Sequence, residues 1–171
     1  MTDTIAEIPH ASSSNHIQEH LHWINERLRK GDQIAVRDGI MIWERKAEWF
    51  PNLYFCTKVG EQMQSLSHGD ALLIPIMKKL HELEDFCKGW HEGPFDHNKV
   101  VSKVTNESEA TLEMFGNERT FQCHDGITRT FRWHIRLTPR AWRLYFYPLP
   151  EERKLIIGYI GPHLRTVDFP H

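Results

Sequence analysis

The chain has 171 residues and a formal net charge of −2, with 40% hydrophobic and 26% charged residues. This ordinary globular balance suits one domain, or one domain with an appendage, and it excludes a general polyanion binder, so any nucleic-acid surface must come from segregated charge. Three cysteines (Cys56, Cys87 and Cys123), widely spaced and without a C-x-x-C pair, exclude a disulfide framework or zinc ribbon and predict reduced, mostly buried thiols.

The N-terminus is polar and acidic, with no apolar core of signal-peptide length. The longest apolar run, Ala71 to Met77, contains Pro75 and is too short to cross a bilayer. A soluble, cytoplasmic protein with no membrane partner is therefore expected. Residues 1–14 are small and polar, with Pro9 and the run Ser12, Ser13, Ser14, and read as a disordered tail. A helix should begin at Asn15, which has capping-box spacing with Gln18. Ile17, Leu21, Ile24 and Leu28 form its apolar stripe, and Gly31 is its expected stop.

Residues 33–59 stay open. Ile34, Val36, Ile40 and Ile42 favour a strand or a hairpin around Asp38-Gly39, whereas Trp43, Ala47 and Phe50 have helical spacing. Pro51 ends whatever precedes it. Two helices are expected over residues 60–90. Met63 and Leu66 belong to the first, and Leu73, Ile76, Met77, Leu80, Leu83 and Phe86 stripe the second, which stops near Gly89. A polar loop follows from His91 to Asn98. A short helix capped by Thr105 or Asn106 then carries Leu112 and Phe115 and ends at Gly116.

The rest alternates as strands do. Arg119 to Cys123 leads into an Asp125-Gly126 turn. Arg129 to Leu137 sets Phe131, Trp133, Ile135 and Leu137 against Arg132, His134 and Arg136. After a turn at Thr138 to Ala141, Trp142, Leu144 and Phe146 alternate with Arg143, Tyr145 and Tyr147. Pro148 to Arg153 connects to a last strand, Lys154 to Ile160, closed by Gly161-Pro162. The fold class predicted is α+β, with N-terminal helices packed on a C-terminal antiparallel β-sheet. One domain covers 15–171, with its helical part over 15–116 and its sheet over 117–165.

Burial of one face fixes the register, because a one-residue slip would bury the arginines. Leu137 then faces Trp142, Ile135 faces Leu144 and Trp133 faces Phe146. Arg136 meets Arg143, His134 meets Tyr145 and Arg132 meets Tyr147. In the next pair, Leu144 faces Ile157 and Phe146 faces Leu155, which sets Arg143 opposite Gly158 and Tyr147 opposite Lys154. Arg136 against Arg143 is a like-charge pair, and it calls for a carboxylate neighbour, a splay or a bound anion. Gly158 marks a place where a ligand or another backbone comes close. Two readings of this polar face stand side by side. It is a solvated outer face whose arginines pair with acids of the N-terminal helices, or it is an anion site for RNA. In the second, Arg136 and Arg143 are catalytic, holding phosphate and stabilising the charge of the transition state, His134 or His163 moves a proton, Tyr145 or Tyr147 stacks a base, and Arg132, Lys154 and Arg165 bind the RNA.

Other signals are thinner. His16 and His20 are spaced i, i+4, without a H-E-x-x-H pattern, and read as a helix surface; Cys123-His124-Asp125 has no second ligand cluster. No phosphate-binding loop, G-x-S-x-G elbow or G-x-G-x-x-G is present. No metal or cofactor is expected.

Three stretches, Phe131-Arg132-Trp133-His134-Ile135-Arg136, Trp142-Arg143-Leu144-Tyr145-Phe146 and Ile156-Ile157-Gly158-Tyr159-Ile160-Gly161-Pro162-His163, resemble the end of a RelE/ParE-type toxin. The resemblance covers about residues 60–165. It implies a helical hairpin on an antiparallel sheet, metal-independent cleavage of messenger RNA at the ribosome, and neutralisation by an antitoxin. On it, Arg136 and Arg143 match the family's sheet arginines and His163 its histidine after the last strand. The chain departs from the family in its length, its acidic balance, the helix inserted before the sheet and the missing lysine pair. The segment from Val104 to Leu112 with this tail also resembles an uncharacterised bacterial family. The leading expectation is thus a RelE-like endoribonuclease. Its rivals are a non-catalytic module that holds a protein or peptide, and a binding protein for a phosphorylated small molecule, marked by a closed pocket between the N-terminal helices and Gly158 in place of an open face.

Overall fold

A computed structural model of the chain describes residues 36–170, together with Arg27 and Gly31. By its contacts the chain divides after Ala35, and the unit from Val36 onward is described by itself. The expected tail over 1–14, most of the helix expected from Asn15, and the His16/His20 pair lie outside the described residues. Gly31, the expected stop, is itself helical.

The described elements are α1 (Gly39–Trp49), β1 (Leu53–Phe55), α2 (Thr57–Gln64), α3 (Leu73–Gly89), β2 (Val104–Asn106), α4 (Glu109–Phe115), β3 (Thr120–Gln122), β4 (Thr128–Thr130), β5 (Trp133–Leu137), β6 (Trp142–Leu149) and β7 (Lys154–Pro162). Single 3₁₀ turns stand at His97–Lys99 and Gly116–Arg119. The architecture is α+β, as expected.

Of the open segment, residues 33–35, with Ile34, lie outside the described residues, and the rest is a helix, a short strand and the first turn of α2. Asp38 is a helix cap and not a hairpin residue: its Oδ1 accepts the Met41 amide at 2.8 Å. The next residue, Gly39, donates its amide to the Leu66 carbonyl at 2.9 Å. A Cβ there would stand 2.0 Å from the Met63 carbonyl oxygen, so α1 and α2 meet at a spacing that only glycine permits.

Helix α4 starts later than the sequence suggests. Ser108 caps it, its hydroxyl accepting the Thr111 amide at 3.2 Å. Thr105 and Asn106, the expected caps, are strand residues of β2 and pair with His134 and Trp133.

The main sheet has the order β1-β7-β6-β5-β2 and is mixed: β1 lies parallel to β7, and the other pairs are antiparallel. The β5–β6 register is the expected one, from Trp133 opposite Phe146 to Leu137 opposite Trp142, with Arg136 opposite Arg143. Arg132 falls outside this ladder. The β6–β7 register is not the expected one. Leu149 pairs with Lys154, Tyr147 with Ile156 and Phe146 with Ile157; beyond a bulge, Leu144 pairs with Ile160 and Arg143 with Gly161. A tight turn at Pro150–Arg153 and one extra residue at Gly158 move the partners by two to three positions.

Both sheet faces are covered. Ile135, Leu137, Leu144, Phe146, Leu155, Ile157 and Ile160 form a core with the three helices α1–α3. On the other face Tyr145, Ile156 and Tyr159 form a second core with Cys56, Cys123 and Phe131, under the β3–β4 hairpin. Phe131 was expected among the helix-facing residues. The chain leaves strand geometry at Phe131-Arg132, and this puts its ring on the opposite side.

Candidate functional site

At the end of β5 and the start of β6 the chain leaves a cleft of about 530 Å³. Arg136, Arg140, Arg143, His163 and Phe169 line it, with Thr138, Pro139 and Ala141 from the β5–β6 turn. The strand pairing explains why the charges gather there. Arg136 and Arg143 are cross-strand partners, and His163 follows the end of β7, its amide held by the Ala141 carbonyl at 2.8 Å.

The arginines differ in their partners. Arg140 is exposed and reaches Asp70 Oδ2 at 3.1 Å. Arg136 is exposed. Arg143 is buried, with 7% of its surface accessible, and its side chain donates to the Trp142 carbonyl at 2.9 Å. Among the described residues, neither Arg136 nor Arg143 has a carboxylate oxygen within 4.0 Å. Burial and then the Arg136 charge disfavour the charged form of Arg143, with Tyr145 and then Glu107 opposing. His163 is pushed below the usual imidazole range by burial first and the Arg143 charge second.

A buried polar cluster lies behind the cleft. Tyr145 donates its hydroxyl to Glu107 Oε1 at 2.6 Å. Arg119 Nε stands 3.1 Å from the same oxygen, and His134 Nδ1 stands 3.4 Å from it, neither aligned as a hydrogen bond. Arg119 is fully buried; its guanidinium also donates to the carbonyls of Phe115 at 3.2 Å and Arg165 at 2.6 Å. Burial drives His134 down to about 4, against the pull of Glu107, so its ring is neutral at neutral pH.

The expected site residues thus separate. Arg136, Arg143 and His163 share the cleft. His134 and Tyr145 are strand neighbours in the buried cluster, and Tyr145 has no accessible surface. Arg132 is held by Asn106 at 2.8 Å and by Glu109. Tyr147 packs against Phe131 and lies near the Arg129 guanidinium. Lys154 sits at the far end of β7, over the Tyr54 ring. Arg165 is engaged by Glu118, with 2.6 Å from its Nε to Oε1. Gly158 is approached by protein, not ligand: a Cβ there would lie 2.5 Å from the Phe131 ring. Glu107, Arg119, Arg140 and Phe169 carry no signal in the sequence, since none belongs to a motif; Glu107, Arg119 and Arg140 find their partners in distant segments.

Among the described residues no group of three or more His, Cys, Asp or Glu side chains is arranged to hold a metal ion, and no helix is long and apolar enough to cross a membrane. Comparison with protein-family models, with curated proteins and with solved structures yields no match. The likeness to RelE/ParE-type toxins therefore rests on the three sequence stretches alone.

Proposed function

We propose that this protein binds a small phosphate-bearing ligand in the cleft between the β5–β6 turn and the C-terminal segment. The observation that carries this reading is Arg143: a buried guanidinium, paired across the strands with a second arginine, lining a cleft and, among the described residues, with no carboxylate oxygen within 4.0 Å. A buried cation without a counter-ion costs several kcal/mol, and a bound anion offsets that cost. The planar guanidinium fork suits phosphate, Arg136 adds a second charge, and His163 adds a ring nitrogen. The cleft volume lies within the range of roughly 300–1,000 Å³ usual for small-molecule sites.

RNA cleavage on the sheet face, the RelE-type reading, is less well served. A strand drawn across that face must meet Tyr145 and His134, and the first is fully buried while the second is largely so. Arg132 and Arg165 are already occupied by acids. A single phosphate group suits the cleft better than a polynucleotide suits the sheet.

Isothermal titration with ribose 5-phosphate at low ionic strength tests the reading. The intact protein should bind it, Arg143→Met should weaken binding at least tenfold, and Arg165→Met, off the cleft, should retain it. No binding by the intact protein, or undiminished binding by Arg143→Met, overturns the proposal.

A further inference from the structure

The cleft has an apolar wall as well as a cationic one. Of the large apolar side chains left exposed among the described residues, only Phe169 lines it, with 66% of its surface accessible. Its position is fixed by the segment that carries it. The His163 amide is bound to Ala141, and the Arg165 amide reaches Glu118 Oε2 at 3.3 Å. The Val167 amide reaches the Thr111 hydroxyl at 3.4 Å. Thr166 and Phe169 exchange backbone hydrogen bonds of 3.0 and 3.1 Å, which closes a turn that presents the ring. The ring meets His163 nearly edge-on, with centroids 5.9 Å apart at 77°. It is thus held at one edge while a large part of its surface stays open. An aromatic ring whose ordering cost is already met, beside a cluster of guanidinium groups, is suited to a ligand that joins a planar ring to an anion.

Resting on the phosphate-binding reading above, we infer that the ligand is a mononucleotide: its phosphate goes to Arg143 and Arg136, and its base stacks on Phe169. Base–aromatic stacking is sequence-tolerant and contributes enough to favour a nucleotide roughly tenfold over a phosphate that lacks a base. Pro139 and Ala141 supply the remaining apolar surface beside the base.

The test compares adenosine 5′-monophosphate with ribose 5-phosphate by isothermal titration on the full chain. The intact protein should bind the nucleotide roughly tenfold more tightly. The ratio should fall towards one in Phe169→Ala and persist in Phe169→Trp, which keeps an aromatic face. Equal affinities in the intact protein, or a ratio that survives Phe169→Ala, overturn the nucleotide assignment and leave phosphate binding standing. Failure of both probes to bind the intact protein overturns both readings.

Discussion

Glu107 is the residue on which the buried charges converge. One of its oxygens receives the Tyr145 hydroxyl and faces Arg119 and His134, and almost none of its surface reaches solvent. Removing one partner of a buried ion pair costs about 3–5 kcal/mol, because the other charge is left uncompensated. Glu107→Ala should therefore lower stability by about that amount in urea unfolding, whereas Tyr145→Phe, which loses one hydrogen bond to a charged group, should cost about 1.5–3 kcal/mol. His134 gives the cluster a pH dependence. Its folded-state value of about 4 lies below the unfolded value of 6.5, so the unfolded chain binds the proton more readily. Its contribution is complete above pH 6.5 and is lost as the pH falls through 4, at most about 3 kcal/mol in all. Urea midpoints taken between pH 7 and pH 4 should fall, and His134→Phe should flatten that part of the curve. At this scale the sequence revealed the opposition of Arg136 and Arg143, since it follows from strand alternation and a short turn. Burial of Tyr145 was not legible, because Glu107 and the aromatic residues packed on it come from other segments.

The last strand shows how two covered faces are built. Leu155 to Ile160 is almost continuously apolar, the pattern of a strand buried on both sides. Reading it as half-exposed, by analogy with the alternating strands β5 and β6, produced the wrong β6–β7 partners. The signal that would have corrected this is Ile157 and Ile160, three residues apart yet both facing the helices, with the bulge at Gly158 between them. Gly158 also lets Phe131 approach the sheet. The Phe131 ring is fully buried and cannot retreat, so Gly158→Ala should destabilise by about 1–3 kcal/mol through overpacking. Phe131→Leu in the same background should recover part of the loss, and a double-mutant cycle measured by thermal unfolding reads the coupling. Additive losses would show that the alanine is accommodated elsewhere. The helical half was more legible: α3 and its stripe fall where the 3.6-residue period puts them. The cap of α4 was displaced because Asn106 pairs with β5, a tertiary contact that overrides a local capping pattern.

Over the whole described unit, charge is segregated rather than excessive. The cationic cleft lies at the end of β5 that carries Arg136. The other end of that strand carries Trp133, which packs on Phe95; Phe95 in turn packs on Phe86 and Trp90, which line a hollow of about 420 Å³ with the acids Glu82, Asp85, Glu92 and Asp96 and one lysine, Lys99. A chain with net charge −2 can thus hold an anion at one place without attracting polyanions generally. Under the proposed function Arg143, buried and with no carboxylate oxygen within 4.0 Å among the described residues, is held for a phosphate group. Thermal unfolding of the intact protein and of Arg143→Met over a series of inorganic phosphate concentrations tests it most directly. Phosphate should raise the Tm of the intact protein, by the equivalent of about 2.7 kcal/mol at a hundredfold excess over Kd. Without phosphate, Arg143→Met should unfold at the same temperature or higher, because it removes an uncompensated buried charge, and added phosphate should leave it unmoved. An Arg143→Met protein that starts lower and rises in parallel with the intact protein would contradict the claim and make Arg143 a structural residue.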